Sequence, residues 1–269
     1  MYPVLLKIGP LTIHTYGVFF TLGILAATFL IDYLHRKDGG EPGTVPDMAI
    51  FVVVGAIIGA RALFILLSLD YYLANPFEML MIWRGGLVFY GGLIGGSAAF
   101  IITARIKGLD LWRFADNAAP GLAFGHGIGR LGCFFAGGCY GKPTDLPWAV
   151  TFTDPRALTG NFLGVPVHPV QIYSFLLLMI LTVILLWIRS RSGFHGQAIA
   201  AYGMMYGILR FNMEFLRGDP RGFMVISGVT LSTSQVISLI VVPLAIAAYI
   251  ILSRRGKIRS MAGLDSSPA

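Results

Sequence analysis

The sequence predicts an all-α polytopic integral membrane protein of about seven transmembrane helices, with its N-terminus outside and its C-terminus cytoplasmic. Three observations predict it: an apolar composition, apolar runs of spanning length, and a lopsided distribution of basic residues. Hydrophobic residues make up 56% of the 269 positions and charged residues 12%, and the mean hydropathy is +0.75. A soluble domain carries roughly 25% charged residues, so a soluble globule is excluded. Disorder is excluded as well, because 19 Phe, 11 Tyr and 4 Trp in an apolar background bury more surface than chain entropy opposes. A helix of about 20 apolar residues crosses a ~30 Å hydrocarbon core.

The first span runs from about Tyr16 to Leu34 and stops at His35, Arg36 and Lys37, before a loop punctuated by Gly39, Gly40, Pro42, Gly43 and Pro46. The second covers about Met48 to Leu69, the third about Leu87 to Thr103, and the fourth about Trp112 to Phe135 through a glycine-rich segment. A stretch from Gly141 to His168, with Pro143, Pro147, Pro155 and Pro166, reads as a small external excursion. The fifth span is about Pro169 to Ile188, the sixth about Gln197 to Leu216, and the seventh about Ser234 to Ile251. Residues 1–260 are expected to form a single membrane domain, and 261–269 a disordered cytoplasmic tail. The first seventeen residues lack the basic region and cleavage site of a removable signal peptide, so the first span is expected to be retained.

Arg36, Lys37, Arg105, Lys107, Arg113, Arg189, Arg191, Arg254, Arg255, Lys257 and Arg259 fall on one side of these spans. Lys7, Arg84, Lys142, Arg156, Arg217 and Arg221 fall on the other. The excess of basic residues marks the cytoplasmic side, which sets the orientation and requires an odd number of crossings. The net charge of +7 comes from these short groups and not from a continuous basic stripe, so no nucleic-acid partner is expected. Trp83 and Trp148 read as interfacial residues. Cys133 and Cys139 are too few for a disulfide framework, and read first as small buried residues, then as an external disulfide, and least as part of a zinc site.

Arg61, Arg130 and Arg210 lie inside spans, where each costs about 2.5–3.5 kcal/mol even on a lenient insertion scale. Tyr206, Arg210, Glu214 and Arg217 recur at i, i+4, i+8 and i+11, which puts them on one helical face. One reading is a satisfied Arg210–Glu214 helix pair. The other is a cavity in which several guanidinium groups bind an anion, and the abundant anion of a membrane is a lipid phosphate. Arg130 follows Gly121, Gly125 and Gly129, whose spacing of four gives a bare face for close helix packing; Gly55 with Gly59, and Gly91 with Gly95, read the same way. Backbone N–H groups near Gly132, Gly137 and Gly138 are further expected donors to an anion. His126, one turn before Arg130, is either a base or a helix-contact histidine.

In order, HTYG (14–17), GAR (59–61), WRGGLVFYGGLIGG (83–96), GRLGCFFAGGCYG (129–141), HPVQIY (168–173) and YGILRFNMEFLR (206–217) form a series that resembles the prolipoprotein diacylglyceryl transferase family. The resemblance implies a seven-helix enzyme of the bacterial inner membrane that moves diacylglyceryl from phosphatidylglycerol to the lipobox cysteine of prolipoprotein signal peptides. A thioether forms and glycerol phosphate leaves, with no metal or soluble cofactor. Position by position, Tyr16, Arg61, Arg130, Gly141, Tyr206, Arg210 and Glu214 fall on the family's motif residues, with Gly132 inside the fourth motif. The chain departs from the family's usual pattern at Tyr90, where histidine is common, and at Cys133, Ala136 and Gly138, which replace two asparagines and a glutamate. Because Tyr90 is a weak base at neutral pH, His126 is expected to serve as base, with Tyr90 donating to the lipid head group. The alternatives are a non-catalytic or acceptor-altered relative that binds phospholipid head groups, and a membrane transporter.

Overall fold

A computed structural model describes residues 2–9, 11–219, 222–226 and 229–261. Of the expected tail at 261–269, Met261 is the last residue of a helix, and 262–269, with Arg221 of the basic-residue count, lie outside the described residues. The order is a hairpin of β1 (Val4–Ile8) and β2 (Leu11–His14), then helices α1 (Thr15–Lys37), α2 (Thr44–Leu67), α3 (Leu69–Ala74), α4 (Phe89–Ile106) and α5 (Leu111–Ala136). A small hairpin of β3 (Val150–Thr151) and β4 (Pro166–Val167) precedes α6 (Val170–Ser190) and α7 (Gln197–Met213). The hairpin of β5 (Phe223–Ile226) and β6 (Val229–Ser232) leads into α8 (Thr233–Met261). Among the described residues, α1, α2, α4, α6 and α8 are long and apolar enough to cross a membrane. The protein is therefore a multi-pass membrane protein. Helices α5 and α7 coincide with the expected fourth and sixth spans and are the more polar ones, because Asp116, Asn117, His126 and Arg130 lie on α5 and Arg210 on α7.

The chain divides into two compact units, Met1–Ile31 with Ala115–Ala269, and Asp32–Phe114. The second unit is organised by α2 and α4, which cross at glycine. A Cβ on Gly59 would collide with the Gly91 carbonyl oxygen, and one on Gly55 would lie 2.9 Å from the Gly95 carbonyl oxygen. Bare backbone on both helices lets them touch where lipid offers no hydrophobic drive between helices. At the end of this crossing Val88 N–H donates to the Ala60 carbonyl at 3.1 Å.

In the first unit α1 and α5 cross in the same manner. A Cβ on Gly23 would sit 2.6 Å from the Gly125 carbonyl oxygen, and one on Gly121 would press on Ile31 and, at 3.1 Å, on the Ala27 carbonyl oxygen. Helices α5, α6 and α7 close around Ala119, Ala123, Leu178, Leu181, Leu185, Ala198 and Ala201, all buried. Small residues on α5 and α7 against leucines on α6 bring the polar residues of α5 and α7 near one another. The excursion has its own small core of Tyr140, Phe152 and Val167. It is tied down by Gly141 N–H to the His168 carbonyl (3.1 Å), Lys142 N–H to that of Leu216 (2.8 Å) and Gly218 N–H to that of Tyr140 (3.0 Å).

Candidate active site

A cleft in the first unit is lined by His126 and Arg130 from α5, Ser174 and Leu178 from α6, and Tyr206, Leu209, Arg210, Met213 and Arg217 from α7 and its continuation. Arg130 Nε donates to His126 Nε2 at 3.1 Å, one helical turn apart. The neutral imidazole therefore carries its proton on Nδ1, and its lone pair is engaged by the guanidinium. The His126 ring stands edge-on to Tyr206, with centroids 5.3 Å apart, and Tyr206 stacks on Tyr202 at 5.6 Å. Arg210 pairs with Glu214, four residues on and just past the end of α7, and donates through its other terminal nitrogen to Ser234 Oγ at 2.7 Å. A carboxylate on one side and a hydroxyl from α8 on the other fix the plane of this fork.

Helix α7 ends at Met213, and a 3-10 turn over Glu214–Leu216 delivers Arg217 in extended conformation. Arg217 is buried, and its guanidinium donates to both oxygens of Asp219, at 2.9 and 3.0 Å. Gly141 forms an isolated antiparallel bridge with Arg217. A Cβ on Gly141 would fall 2.5 Å from His168 Cβ, and one on Gly218 2.6 Å from the Gly141 carbonyl oxygen. Gly141 thus sets the position of Arg217 through close backbone approach. Gly132 does the same for Tyr16: a Cβ there would meet Phe19 Cβ at 2.9 Å and the Tyr16 carbonyl oxygen at 3.2 Å.

The structure brings His126, Arg130, Tyr206 and Arg210 to one cleft, with Glu214 behind Arg210. Tyr16, in the first turn of α1, is half-exposed and within electrostatic range of Arg130, Cys133 and Cys139. Arg61 and Tyr90 belong to the second unit. Arg61 is buried, and its guanidinium donates to the carbonyls of Met79 (2.9 Å), Gly85 (2.8 Å), Gly86 (3.2 Å) and Glu78. It also lies over the rings of Phe64 and Tyr72, at 5.7 and 5.3 Å. The intramembrane cost of this arginine is met by carbonyl dipoles and aromatic faces, with no anion required. Tyr90 lies in the first turn of α4, edge-on to Phe89. The N–H groups of Gly137 and Gly138, expected as anion donors, instead bond the carbonyls of Phe134 and Cys133 at 3.1 Å each and close the end of α5.

Arg217, placed by its i+11 spacing on the Tyr206 face as well as among the external basic residues, does line the cleft. Ser174, which follows the HPVQIY motif by one residue, carries no sequence signal of its own. Neither does Ser234, which holds Arg210 from the start of α8. Among the described residues, no three His, Cys, Asp or Glu side chains converge as metal ligands would.

The sequence model of prolipoprotein diacylglyceryl transferases matches residues 3–251. The chain belongs to the prolipoprotein diacylglyceryl transferase family. Similar relatives, each named phosphatidylglycerol–prolipoprotein diacylglyceryl transferase, include a Clostridium tetani protein, 38% identical over 93% of this chain and 97% of its own length. A Solidesulfovibrio magneticus protein is 35% identical over 94% of both chains. One from Bordetella avium is 34% identical over 94% of this chain and 95% of its own. As a member of the prolipoprotein diacylglyceryl transferase family, the chain carries its three cleft arginines on the GRLG and YGILRFNMEFLR segments, inside the matched range.

Proposed function

We propose that this chain transfers the diacylglyceryl group of phosphatidylglycerol to the lipobox cysteine thiol of a prolipoprotein signal peptide. The acceptor loses its thiol proton, its sulfur bonds to the glyceryl carbon, the carbon–oxygen bond to phosphate breaks, and glycerol phosphate leaves. The phosphate gains negative charge as that bond breaks, so donors aimed at its oxygens lower the barrier more than they strengthen ground-state binding. The observation that supports this reading is the convergence of Arg130 and Arg210 on one cleft, each guanidinium oriented by a partner four residues away in the chain.

In this proposal Arg130 and Arg210 hold the phosphodiester, Glu214 orients Arg210, Tyr206 donates nearby, and Tyr16, Gly132 and Gly141 shape the cleft. His126 orients Arg130; acting as base would require it to give up that bond. Arg61 stabilises its own unit. Tyr90 keeps the proposed role of a head-group donor, tested separately by Tyr90→Phe: loss of transfer supports the role, and full activity removes it. The setting is the bacterial inner membrane, with residues 1–260 as one membrane domain crossing seven times. The N-terminus and the excursion lie outside and the C-terminus in the cytoplasm.

Lysine keeps the charge of the clamp but loses its planar fork. Arg130→Lys and Arg210→Lys are therefore expected to lose on the order of a hundredfold in transfer of labelled diacylglyceryl to a lipobox peptide, while inserting normally. Near-normal activity of either variant removes that arginine from the clamp.

A further inference from the structure

Between the short helix α3 and the start of α4 the chain runs through two 3-10 turns, Pro76–Leu80 and Ile82–Arg84. In residues 76–89 Glu78 and Arg84 are the only charges. Phe77, Leu80, Trp83 and Phe89 stand 83%, 77%, 76% and 76% exposed. Large apolar side chains turned outward over consecutive turns mark a surface that meets something other than water.

The backbone beneath these side chains is turned the other way. The carbonyls of Glu78, Met79, Gly85 and Gly86 all accept from the one buried Arg61 guanidinium of α2. Gly85 and Gly86 have φ +85° and +76°, and a Cβ on Gly86 would sit 2.6 Å from Arg61 Nη1. Bare backbone in the left-handed region is what brings these carbonyls to the charge. The Ile82 carbonyl accepts from Gly85 N–H, and that of Glu78 also from Met81 N–H, each at 3.1 Å. The Glu78 carboxylate accepts from the Tyr71 hydroxyl at 2.8 Å. A turn in water leaves its carbonyls to the solvent, whereas a turn in lipid must satisfy them from within the protein. This segment gathers four of them on an internal cation and presents side chains that lipid solvates.

The position of the segment supplies the partner. It joins α2 to α4, both long and apolar enough to cross a membrane. It also continues the exposed apolar surface at their ends, Leu66 and Leu67 on α2 and Leu93 and Ile94 on α4. We propose that residues 76–89 form a lipid-embedded insert, with Phe77, Leu80 and Trp83 among the acyl chains of the leaflet at that end of α2 and α4. Arg61 is the internal donor that lets the backbone of the insert leave water. The partner is the acyl-chain layer just below the phospholipid head groups. The interfacial character expected of Trp83 thereby extends to the whole segment and has its cause in Arg61. Insertion requires no diacylglyceryl transfer, so its test is independent of the proposed reaction.

The experiment places the full chain in vesicles of phosphatidylcholine and phosphatidylglycerol, with or without acyl chains brominated close to the head group. Subtracting the fluorescence of Trp83→Phe from that of the wild type isolates the Trp83 emission, and so exposed a ring is replaced without disturbing the core. That emission should fall at least about twofold in brominated vesicles and stay unchanged when iodide is added to the water. Arg61→Met and Gly86→Ala both release the carbonyls, the second with Arg61 kept. Each, compared with its own Trp83→Phe double variant, should lose the lipid quenching and gain about twofold quenching by iodide. Iodide quenching in the wild type would put the segment in water, and protection from both quenchers would put a second copy of the chain over it; either result overturns the proposal. Lipid quenching unchanged in both variants would overturn the part assigned to Arg61.

Discussion

Arg130 is oriented by His126, whose Nε2 receives the guanidinium Nε–H at 3.1 Å. A side chain that orients should be replaceable by another acceptor of similar reach, whereas a base should not. His126→Gln keeps an acceptor oxygen and is expected to retain most transfer activity. His126→Phe keeps the ring against Tyr206 but leaves the partly buried Arg130 donor without this partner, a loss of about 1 kcal/mol or more, and should raise KM for phosphatidylglycerol roughly tenfold. Equal, near-complete loss in both variants would return His126 to the role of base. The same distinction separates the intramembrane arginines. Their cost was legible in the sequence, but where each cost is met was not: Arg61 is satisfied by carbonyls up to twenty-five positions away in the chain, and no helical spacing encodes that.

Helix α7 presents the cleft residues, and its start is held from another helix. Gly196 supplies no side chain to cap it, and the buried Asp116 of α5 accepts from Gly196 N–H at 2.7 Å and from Ile199 N–H at 3.0 Å. A carboxylate at a helix N-terminus satisfies open donors and meets the positive end of the dipole. Asp116→Ala should lower stability by about 2 kcal/mol, visible as a lower Tm in detergent, and Asp116→Asn should lose less; an unchanged Tm in Asp116→Ala would show the cap to be dispensable. The element scale was the most legible in the sequence. Apolar runs located the long helices to within a few residues except at the end of α8, which continues ten residues past the expected Ile251 to Met261, and Gly55, Gly59, Gly91 and Gly95 do form the α2–α4 crossing. What periodicity could not supply was the 3-10 turn after Met213, which takes Arg217 off the regular helical course and bridges it to Gly141.

For the whole molecule, the distribution of basic residues predicts a cytoplasmic C-terminal end of α8 and an external Gly141 to His168 excursion. An alkaline-phosphatase fusion within the excursion should be active and one after Ala269 inactive; the reverse pattern would put the proposed cleft on the wrong face for an exported acceptor. Lys142 and Gly218 tie the excursion to the segment after α7 that carries the cleft residue Arg217. In the proposed function the cleft transfers diacylglyceryl and does more than bind a head group. Purified wild-type protein, phosphatidylglycerol labelled separately in its diacylglyceryl and glycerol phosphate parts, and a lipobox peptide test it most directly. Diacylglyceryl label is expected in thioether linkage to the peptide cysteine with matching release of glycerol phosphate, and none on the serine-substituted peptide. Saturable phosphatidylglycerol binding without any label reaching the cysteine would contradict it.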